Sequence, residues 1–97
     1  MARVRLSLRA IERLERLISS HGLPADTRPR VRNSLRALQQ FPLIGRELEG
    51  RWCGFRFILG PWPWMVLVYK YDSAADVATI VAFHDARSST AATAERS

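Results

Sequence analysis

Cysteine and long apolar runs are scarce in this sequence, and each shortage excludes a class of protein. Cys53 is the only cysteine, so an internal disulfide is impossible and a reducing compartment is expected. No segment reaches the ~18 to 20 consecutive apolar residues that a membrane-spanning helix needs. Arginines interrupt the apolar residues near the start of the chain, so the apolar core of a signal peptide is missing there. The sequence therefore predicts a cytoplasmic protein without a membrane partner.

Motifs for metal ions and cofactors are also missing. His21, His84 and Cys53 are far apart and do not have the spacing of CxxC or HExxH ligand sets. The 5 glycines stand singly, which excludes a glycine-rich loop for phosphate, and the GxSxG motif of serine hydrolases does not occur. We therefore expect neither a metal nor a cofactor.

Positive charge, by contrast, is abundant. The 97 residues carry 15 lysines and arginines against 9 aspartates and glutamates, a formal net charge of +6, and Lys70 is the only lysine. Such an excess favours anionic partners, namely nucleic acid, the ribosome or an acidic protein. A chain of this length has room for one hydrophobic core.

The start of the chain predicts a strand and then a helix. In "RVRLS", arginine alternates with apolar residues at the period of a half-buried strand. Ser7 can cap the following helix, and Gly22 can end it in the left-handed conformation. His21, in the last turn, can offset the helix dipole. The apolar positions expected on the buried side of this helix are Ile11, Leu14, Leu17 and Ile18.

A second helix is predicted to start near Asp26 or Thr27. It should end at Phe41–Pro42, because the residue before a proline disfavours the helical conformation. Its buried stripe consists of Val31, Leu35 and Leu38, and its opposite side carries Arg28, Arg32 and Arg36. The short link between the two helices predicts an antiparallel helical hairpin.

Three strands are predicted after the helices, in "FRFIL", "WMVLVYKY" and "VATIVAF". The second is almost entirely apolar, as in a central strand that is covered on both faces. The order is then β-α-α-β-β-β, which is an α+β fold with an N-terminal strand and an antiparallel helical hairpin packed on a small, mostly antiparallel sheet. We expect this single domain to span residues 1–88 and residues 89–97 to form a flexible tail.

Basic residues collect at the predicted rim of the sheet. Arg51, Arg56, Lys70 and Arg87 lie at or near strand positions, and His84 ends the last strand. Such a group could bind a phosphodiester, with His84 as its acid or base. The alternative is that the arginines are solvated charges on an outer sheet face and that His84 is a strand-end histidine with satisfied hydrogen bonds.

Further residues are candidates for binding a protein partner. Trp62 lies between prolines at a hairpin tip and could anchor a partner, whereas Trp64 is expected in the core. Arg46 lies where the chain passes from the helices to the sheet. The second-helix arginines Arg28, Arg32 and Arg36 are either a solvated face or a contact for an acidic partner. Glu47 and Glu49 are expected to temper the local charge, with a catalytic carboxylate as the alternative.

The element order and three short motifs resemble the RelE/ParE superfamily of bacterial toxins from type II toxin–antitoxin pairs. The motifs are "FPLIGRELEG" at the end of the second helix, "LVYKY" in an aromatic strand and "FHDAR" at the end of the last strand. The resemblance covers about Val4 to Ser88. It implies a small cytoplasmic toxin that arrests growth and is neutralised by an acidic, partly disordered antitoxin, a partner that fits the charge of +6.

The superfamily contains two mechanisms of toxicity. RelE-like members cleave mRNA in the ribosomal A site, whereas ParE-like members inhibit DNA gyrase and are not nucleases. On the RelE-like interpretation, the resemblance implies that Arg56 and Arg87 bind the phosphate backbone and that His84 is the base. On the ParE-like interpretation, the arginine rim, with Arg46 and Arg51, and the C-terminal segment contact the target.

Several positions depart from the RelE-like pattern. Ile58 and Val66 stand where RelE-type members carry further basic residues, and no aromatic residue follows Phe83, although such nucleases often use a C-terminal tyrosine. The "FHDAR" ending is more similar to the ParE side, whereas the helical hairpin is shorter than in ParE-like chains. The sequence therefore favours a gyrase-directed toxin, with a ribosome-dependent nuclease as the alternative and a non-toxic binding module as a third hypothesis.

Overall fold

The computed structural model of the protein describes residues 1–87, so Ser88 and the predicted tail at residues 89–97 lie outside the described residues. The elements are β1 Arg3–Leu6, α1 Leu8–His21, α2 Thr27–Gln40, β2 Arg46–Glu47, β3 Arg56–Leu59, β4 Met65–Asp72 and β5 Val77–Asp85, with a 3₁₀ turn at Gly50–Trp52. The predicted α+β class is confirmed, and β2 adds a two-residue strand to the three expected after the helices. No helix within residues 1–87 is long and apolar enough to cross a membrane.

Local signals set the limits of both helices as predicted. The Ser7 side chain accepts a hydrogen bond from the Ala10 backbone N–H at 3.1 Å, which caps α1. Gly22 ends α1 in the left-handed conformation, at φ 57° and ψ 44°. The second helix, α2, starts after Asp26 and ends directly before Phe41–Pro42.

Both helices pack on the same face of the sheet. Their buried apolar residues are Ala10, Leu14, Leu17, Val31, Leu35 and Leu38. The stripe predicted for α2 is confirmed, but α1 turns Ile11 outward, so that 43% of it is exposed. Ala10 is fully buried, and its small side chain lets α1 approach the sheet closely. The centre of the contact therefore shifts towards Ala10, and Ile11 lies at its edge.

The sheet has the strand order β1-β5-β4-β3-β2. β1 is parallel to β5 and all other neighbouring pairs are antiparallel, so the prediction of a mostly antiparallel sheet is confirmed. β4 is central, but the helices cover only one of its faces, so the prediction of a strand covered on both faces is wrong. We name the side that packs on the helices the helix-covered face and the other side the open face.

A β-bulge in β5 decides which of its side chains face the helices. Val68 and Tyr69 are neighbours in β4, yet they pair with Ala82 and Ile80, so Val81 is an additional residue in β5. Because side chains alternate between the two faces, the residues beyond the bulge change sides. The helix-covered face thereby receives Phe83 and Asp85, and the open face receives His84.

The connection from α2 to β2 is folded around the hydroxyl group of Tyr69. This fully buried hydroxyl donates to the Pro42 carbonyl oxygen at 2.8 Å and accepts from the Gly45 backbone N–H at 2.9 Å. A Cβ atom at Gly45 would lie 2.5 Å from the hydroxyl oxygen, so this position requires glycine. Arg56 holds the same segment, because its Nη1 donates to the carbonyl oxygens of Leu43 at 3.2 Å and Gly45 at 2.8 Å. We name these contacts of Tyr69 and Arg56 the junction clamp.

The substitution Tyr69→Phe should lower the free energy of unfolding by about 1–3 kcal/mol, because it leaves the N–H of buried Gly45 without its partner. Tyr71→Phe is the matched control, since the Tyr71 hydroxyl donates to Asp76 at 2.6 Å at the surface. We expect that control to change stability by no more than about 0.5 kcal/mol. Urea unfolding followed by tryptophan fluorescence measures both variants, and equal losses would contradict a special role for the Tyr69 hydroxyl.

Candidate functional site

The three residues predicted as a nuclease site lie on two faces of the sheet. Arg56 pairs with Tyr69 at the start of β3 and lies on the helix-covered face. His84 follows the bulge in β5 and lies on the open face. Arg87 follows the end of β5, with its guanidinium carbon 4.5 Å from the centroid of the Trp64 ring. The structure thus separates His84 from both arginines.

The guanidinium of Arg56 is engaged in contacts within the protein. In addition to its backbone bonds in the junction clamp, its Nη2 donates to Oε1 of Glu47 at 3.1 Å. Only 23% of the Arg56 side chain is exposed, whereas 73% of the Glu47 side chain is exposed. Glu47 balances the charge of Arg56, and the arginine supports the segment that leads into β2.

His84 is half-buried on the open face. Burial is the main cause that lowers the pKa of its imidazole, and the positive charge of Arg13 lowers the pKa further. Arg13 also donates from Nε to the Phe83 carbonyl oxygen at 3.3 Å, next to His84 in the chain. The imidazole is therefore neutral at pH 7 and able to accept a proton.

The open face carries a row of polar and basic side chains. Arg5 of β1 pairs with Thr79 of β5, and Thr79 pairs with Lys70 of β4, so the three side chains stand side by side. The Lys70 ammonium lies 5.6 Å from the centroid of the Phe55 ring. Arg46 of β2 lies on the same face. This arrangement can attract an extended anionic ligand.

A second group of side chains joins the ends of α1 and β5. The His21 ring stacks on Trp64 with centroids 5.1 Å apart, and its Nε2 is 2.8 Å from Oδ2 of Asp85. Trp62, in the same connection between β3 and β4, stacks on Trp64 with centroids 5.9 Å apart. Arg87 donates to both carboxylate oxygens of Asp85, at 3.2 and 3.3 Å. We name His21, Trp62, Trp64, Asp85 and Arg87 the Trp64 cluster.

The Trp64 cluster contains contacts that the sequence did not reveal. The sequence predicts only a dipole interaction for His21, whereas the structure also pairs it with Asp85, 64 residues away. Two residues so far apart in the chain form no sequence pattern from which their contact could be predicted. The predicted anchor Trp62 is half-buried, and the Arg30 guanidinium lies over its ring at 5.8 Å. Trp64 is also half-buried and packs against the core.

The Asp85 carboxylate is the charged centre of the Trp64 cluster. The hydrogen bond from the Arg87 side chain is the main cause that holds the pKa of Asp85 well below its usual range, and the Arg87 backbone N–H and His21 lower it further. The Asp85 side chain is only 13% exposed. Asp85 therefore stays ionised into acidic solution and keeps both partners in place.

Of the arginines predicted to bind a partner, one forms an ion pair within the described part of the chain and the others do not. Arg28 of α2 forms a bidentate ion pair with Glu15 of α1, in which Nε lies 2.9 Å from Oε2. Four others are exposed and have no ion-pair partner within residues 1–87, namely Arg32, Arg36, Arg46 and Arg51. These four are accessible to an acidic partner.

Ligands for a metal ion do not converge in the described part of the chain. No group of three or more His, Cys, Asp or Glu side chains there could hold a metal. An open cleft of about 410 Å³ lies beside the Trp64 cluster, lined among others by Arg13, Arg16, Ser20 and His21. Its arginines favour an anionic group, while the nearby C-terminal end of α1 and the Asp85 carboxylate oppose one.

Comparison with known proteins identifies the fold. No protein-family model matches the chain, and no curated protein matches it. Among solved structures, the isolated E. coli RelE toxin has a TM-score of 0.65 and 18% sequence identity, covering 99% of this chain and 97% of that chain. A YoeB/ParE toxin from Agrobacterium tumefaciens has a TM-score of 0.66 at 13% identity, covering 86% and 96%. The RelBE2 toxin–antitoxin complex from Mycobacterium tuberculosis has a TM-score of 0.60 at 21% identity, covering 87% and 96%.

The chain shares its fold with these RelE and YoeB/ParE toxins, so the fold expected from the resemblance is confirmed. The TM-scores for RelE and for the YoeB/ParE toxin differ by only 0.01, the difference between 0.66 and 0.65. The fold is therefore common to both kinds of toxin, and only side chains distinguish them.

The protein should lose stability in two steps as the pH falls, one near neutral pH and one in acid. His84 has a lowered pKa in the fold, so its contribution is complete above its unfolded value of about 6.5 and is lost as the pH falls below that value. Asp85 also has a lowered pKa, so its contribution is complete above its unfolded value near 3.8 and is lost at lower pH.

Denaturant unfolding between pH 8 and pH 2 measures these two losses. We expect His84→Gln to flatten the loss between roughly pH 7 and 5 and to leave the acidic loss unchanged. Asp85→Asn should do the reverse and flatten the loss below about pH 4. A variant pair with the same pH profile as the unsubstituted protein would contradict the assignment of these shifts.

Proposed function

We propose that this chain is the toxin of a type II toxin–antitoxin pair, that it acts in the bacterial cytoplasm, and that an acidic antitoxin keeps it inactive. Its fold is that of RelE, YoeB/ParE and YafQ toxins. A similar solved structure is the intact E. coli RelBE toxin–antitoxin complex. The charge of +6 and the exposed, unpaired arginines within residues 1–87 suit an acidic partner. In this proposal residues 1–88 are the toxin domain.

The proposed mode of action is binding to DNA gyrase, as in ParE-like toxins, and not cleavage of RNA. The observation that carries this proposal is the separation of His84, on the open face, from Arg56 on the helix-covered face and from Arg87, which pairs with Asp85 beyond the end of β5. Cleavage of a phosphodiester needs a base and cationic groups that converge to about 3 Å from the reacting atoms. In addition, Arg56 and Arg87 are each paired with a carboxylate.

The proposed contact surface for gyrase is the outer side of the Trp64 cluster together with Arg51 and the C-terminal segment. Half-buried tryptophan and arginine side chains are typical of the residues that dominate protein interfaces. Trp62 and Trp64 are both half-buried, and Arg87 is exposed beside them. The pairing of Asp85 with His21 and Arg87 holds this surface in one arrangement.

A ribosome-dependent ribonuclease is the second candidate function, and the open face favours it. His84 is neutral there and can accept a proton. Arg5, Lys70 and Arg46 lie on the same face and can bind a phosphate backbone. Such a site would use the open face and would leave Arg56 in its structural role.

Induced expression in a bacterial host should arrest growth while transcripts stay intact, because the proposed target is a protein. Primer extension on transcripts tests for new 5′ ends, and a supercoiling assay with purified gyrase and relaxed plasmid tests for inhibition by the purified chain. Cuts within translated frames would overturn the gyrase proposal in favour of the ribonuclease. Normal growth at full expression would favour a non-toxic binding module.

Two substitutions separate the candidate surfaces. On the gyrase proposal, Arg87→Ala should weaken gyrase inhibition by about tenfold or more, because it removes an exposed arginine that also orders Asp85. His84→Gln should leave growth arrest unchanged, since His84 lies on the open face. Loss of arrest and of transcript cuts with His84→Gln alone would assign the activity to the open face. Denaturant unfolding of both variants shows whether each is folded.

A further inference from the structure

Three large apolar side chains stand in solvent between α2 and β2. The exposed fractions of Phe41, Leu43 and Ile44 are 59%, 56% and 57%. Together with Gln40 and Pro42 they line a shallow groove of about 530 Å³. We name Phe41, Leu43 and Ile44 the apolar ledge. Its groove is apolar and open to solvent, so it can receive apolar side chains of a partner.

The apolar ledge is exposed although its backbone is held firmly. The Ile44 N–H donates to the Phe41 carbonyl oxygen at 3.0 Å, which closes a turn. The carbonyl oxygens of Pro42 and Leu43 accept hydrogen bonds from Tyr69 and Arg56 in the junction clamp. Since the backbone is already ordered, a partner that covers these side chains meets a small entropic cost of ordering.

The surroundings of the apolar ledge are positively charged. Arg36 precedes it in the last turns of α2 and Arg46 follows it in β2, and within residues 1–87 both lack an ion-pair partner. A second copy of the chain would bring the same positive charges together, which disfavours self-association. A nucleic acid could stack a base on Phe41 alone, because the aliphatic side chains of Leu43 and Ile44 offer its bases neither hydrogen bonds nor stacking.

We propose that the apolar ledge is the docking site for apolar anchor side chains of an acidic peptide segment, supplied by the antitoxin. The proposal rests on the proposed function for the identity of the partner. The segment presents apolar side chains to Phe41, Leu43 and Ile44 and carboxylates to Arg36 and Arg46 on either side. Binding buries apolar surface that is otherwise left in water and neutralises charge that the fold leaves unpaired.

The binding test uses a fluorescent peptide of about 16 residues, a length at which a helix can form. It carries leucine at helical spacing and glutamate at the other positions, and a second peptide carries lysine in place of glutamate. Fluorescence anisotropy should show binding of the acidic peptide and at least about tenfold weaker binding of the basic one. Equal binding of both peptides, or no binding of the acidic one, would overturn the proposal.

A matched pair of variants then locates the binding site. Leu43→Ser should weaken binding of the acidic peptide by about tenfold. Leu59→Ser is the control, because Leu59 is 52% exposed and lies on the open face of β3, away from the ledge. An equal effect of both substitutions would show that the peptide binds elsewhere. Urea unfolding of each variant shows that the fold is retained.

A neutralisation test ties the ledge to the antitoxin. A library of genomic fragments from the source organism is screened for an acidic protein that restores growth to cells expressing the chain. We expect Leu43→Ser to arrest growth as before but to be rescued less well, whereas Leu59→Ser is rescued fully. Equal rescue of both variants would overturn the role of the ledge. If the unsubstituted chain never arrests growth, the proposed function fails. The peptide experiment alone then tests whether the apolar ledge binds an acidic segment.

Discussion

The hydroxyl group of Tyr69 is the contact on which the passage from the helices to the sheet depends. A buried hydroxyl without partners would cost free energy, and burial also raises its pKa, so it stays protonated and able to donate. The backbone between α2 and β2 supplies a donor and an acceptor, at Gly45 and Pro42. To do so the chain must cross closely over the tyrosine ring, which glycine permits. The apolar side chains beside this crossing are turned outward because the backbone is fixed from within.

The distribution of ion pairs decides where the positive charge of the protein acts. Several arginines are paired with carboxylates and serve the fold, namely Arg28, Arg30, Arg56 and Arg87. The unpaired arginines of α2 and of the junction lie around the apolar ledge and on the adjacent outer side of α2. The exposed basic surface beside α2 is one of several, because Arg5 and Lys70 also place positive charge on the open face. Its position coincides with exposed apolar side chains, which is why we place antitoxin binding there.

The bulge in β5 decides which side chains of the candidate sites lie on the same face of the sheet. Without the bulge, with Val81 paired as an ordinary strand residue, strict alternation from Ile80 would turn His84 towards the helices and Asp85 towards the open face. With the bulge, Asp85 meets His21 at the end of α1, and the Trp64 cluster can form. The same shift removes His84 from the face that carries Arg56. The bulge thus allows the Trp64 cluster to form and keeps His84 away from Arg56.

The sequence alone determined the local structure: the caps at Ser7 and Gly22, the end of α2 before Phe41–Pro42, the element order and the apolar stripe of α2. These follow from interactions between residues close in the chain, which a pattern can reveal. The tertiary structure decided the rest. Pairing across the sheet set the bulge, close packing at Ala10 displaced Ile11, and the meeting of α1 with β5 paired His21 with Asp85. Such contacts join residues far apart in the chain, so no local spacing encodes them, and only the folded chain shows which arginines are paired and which are free to bind.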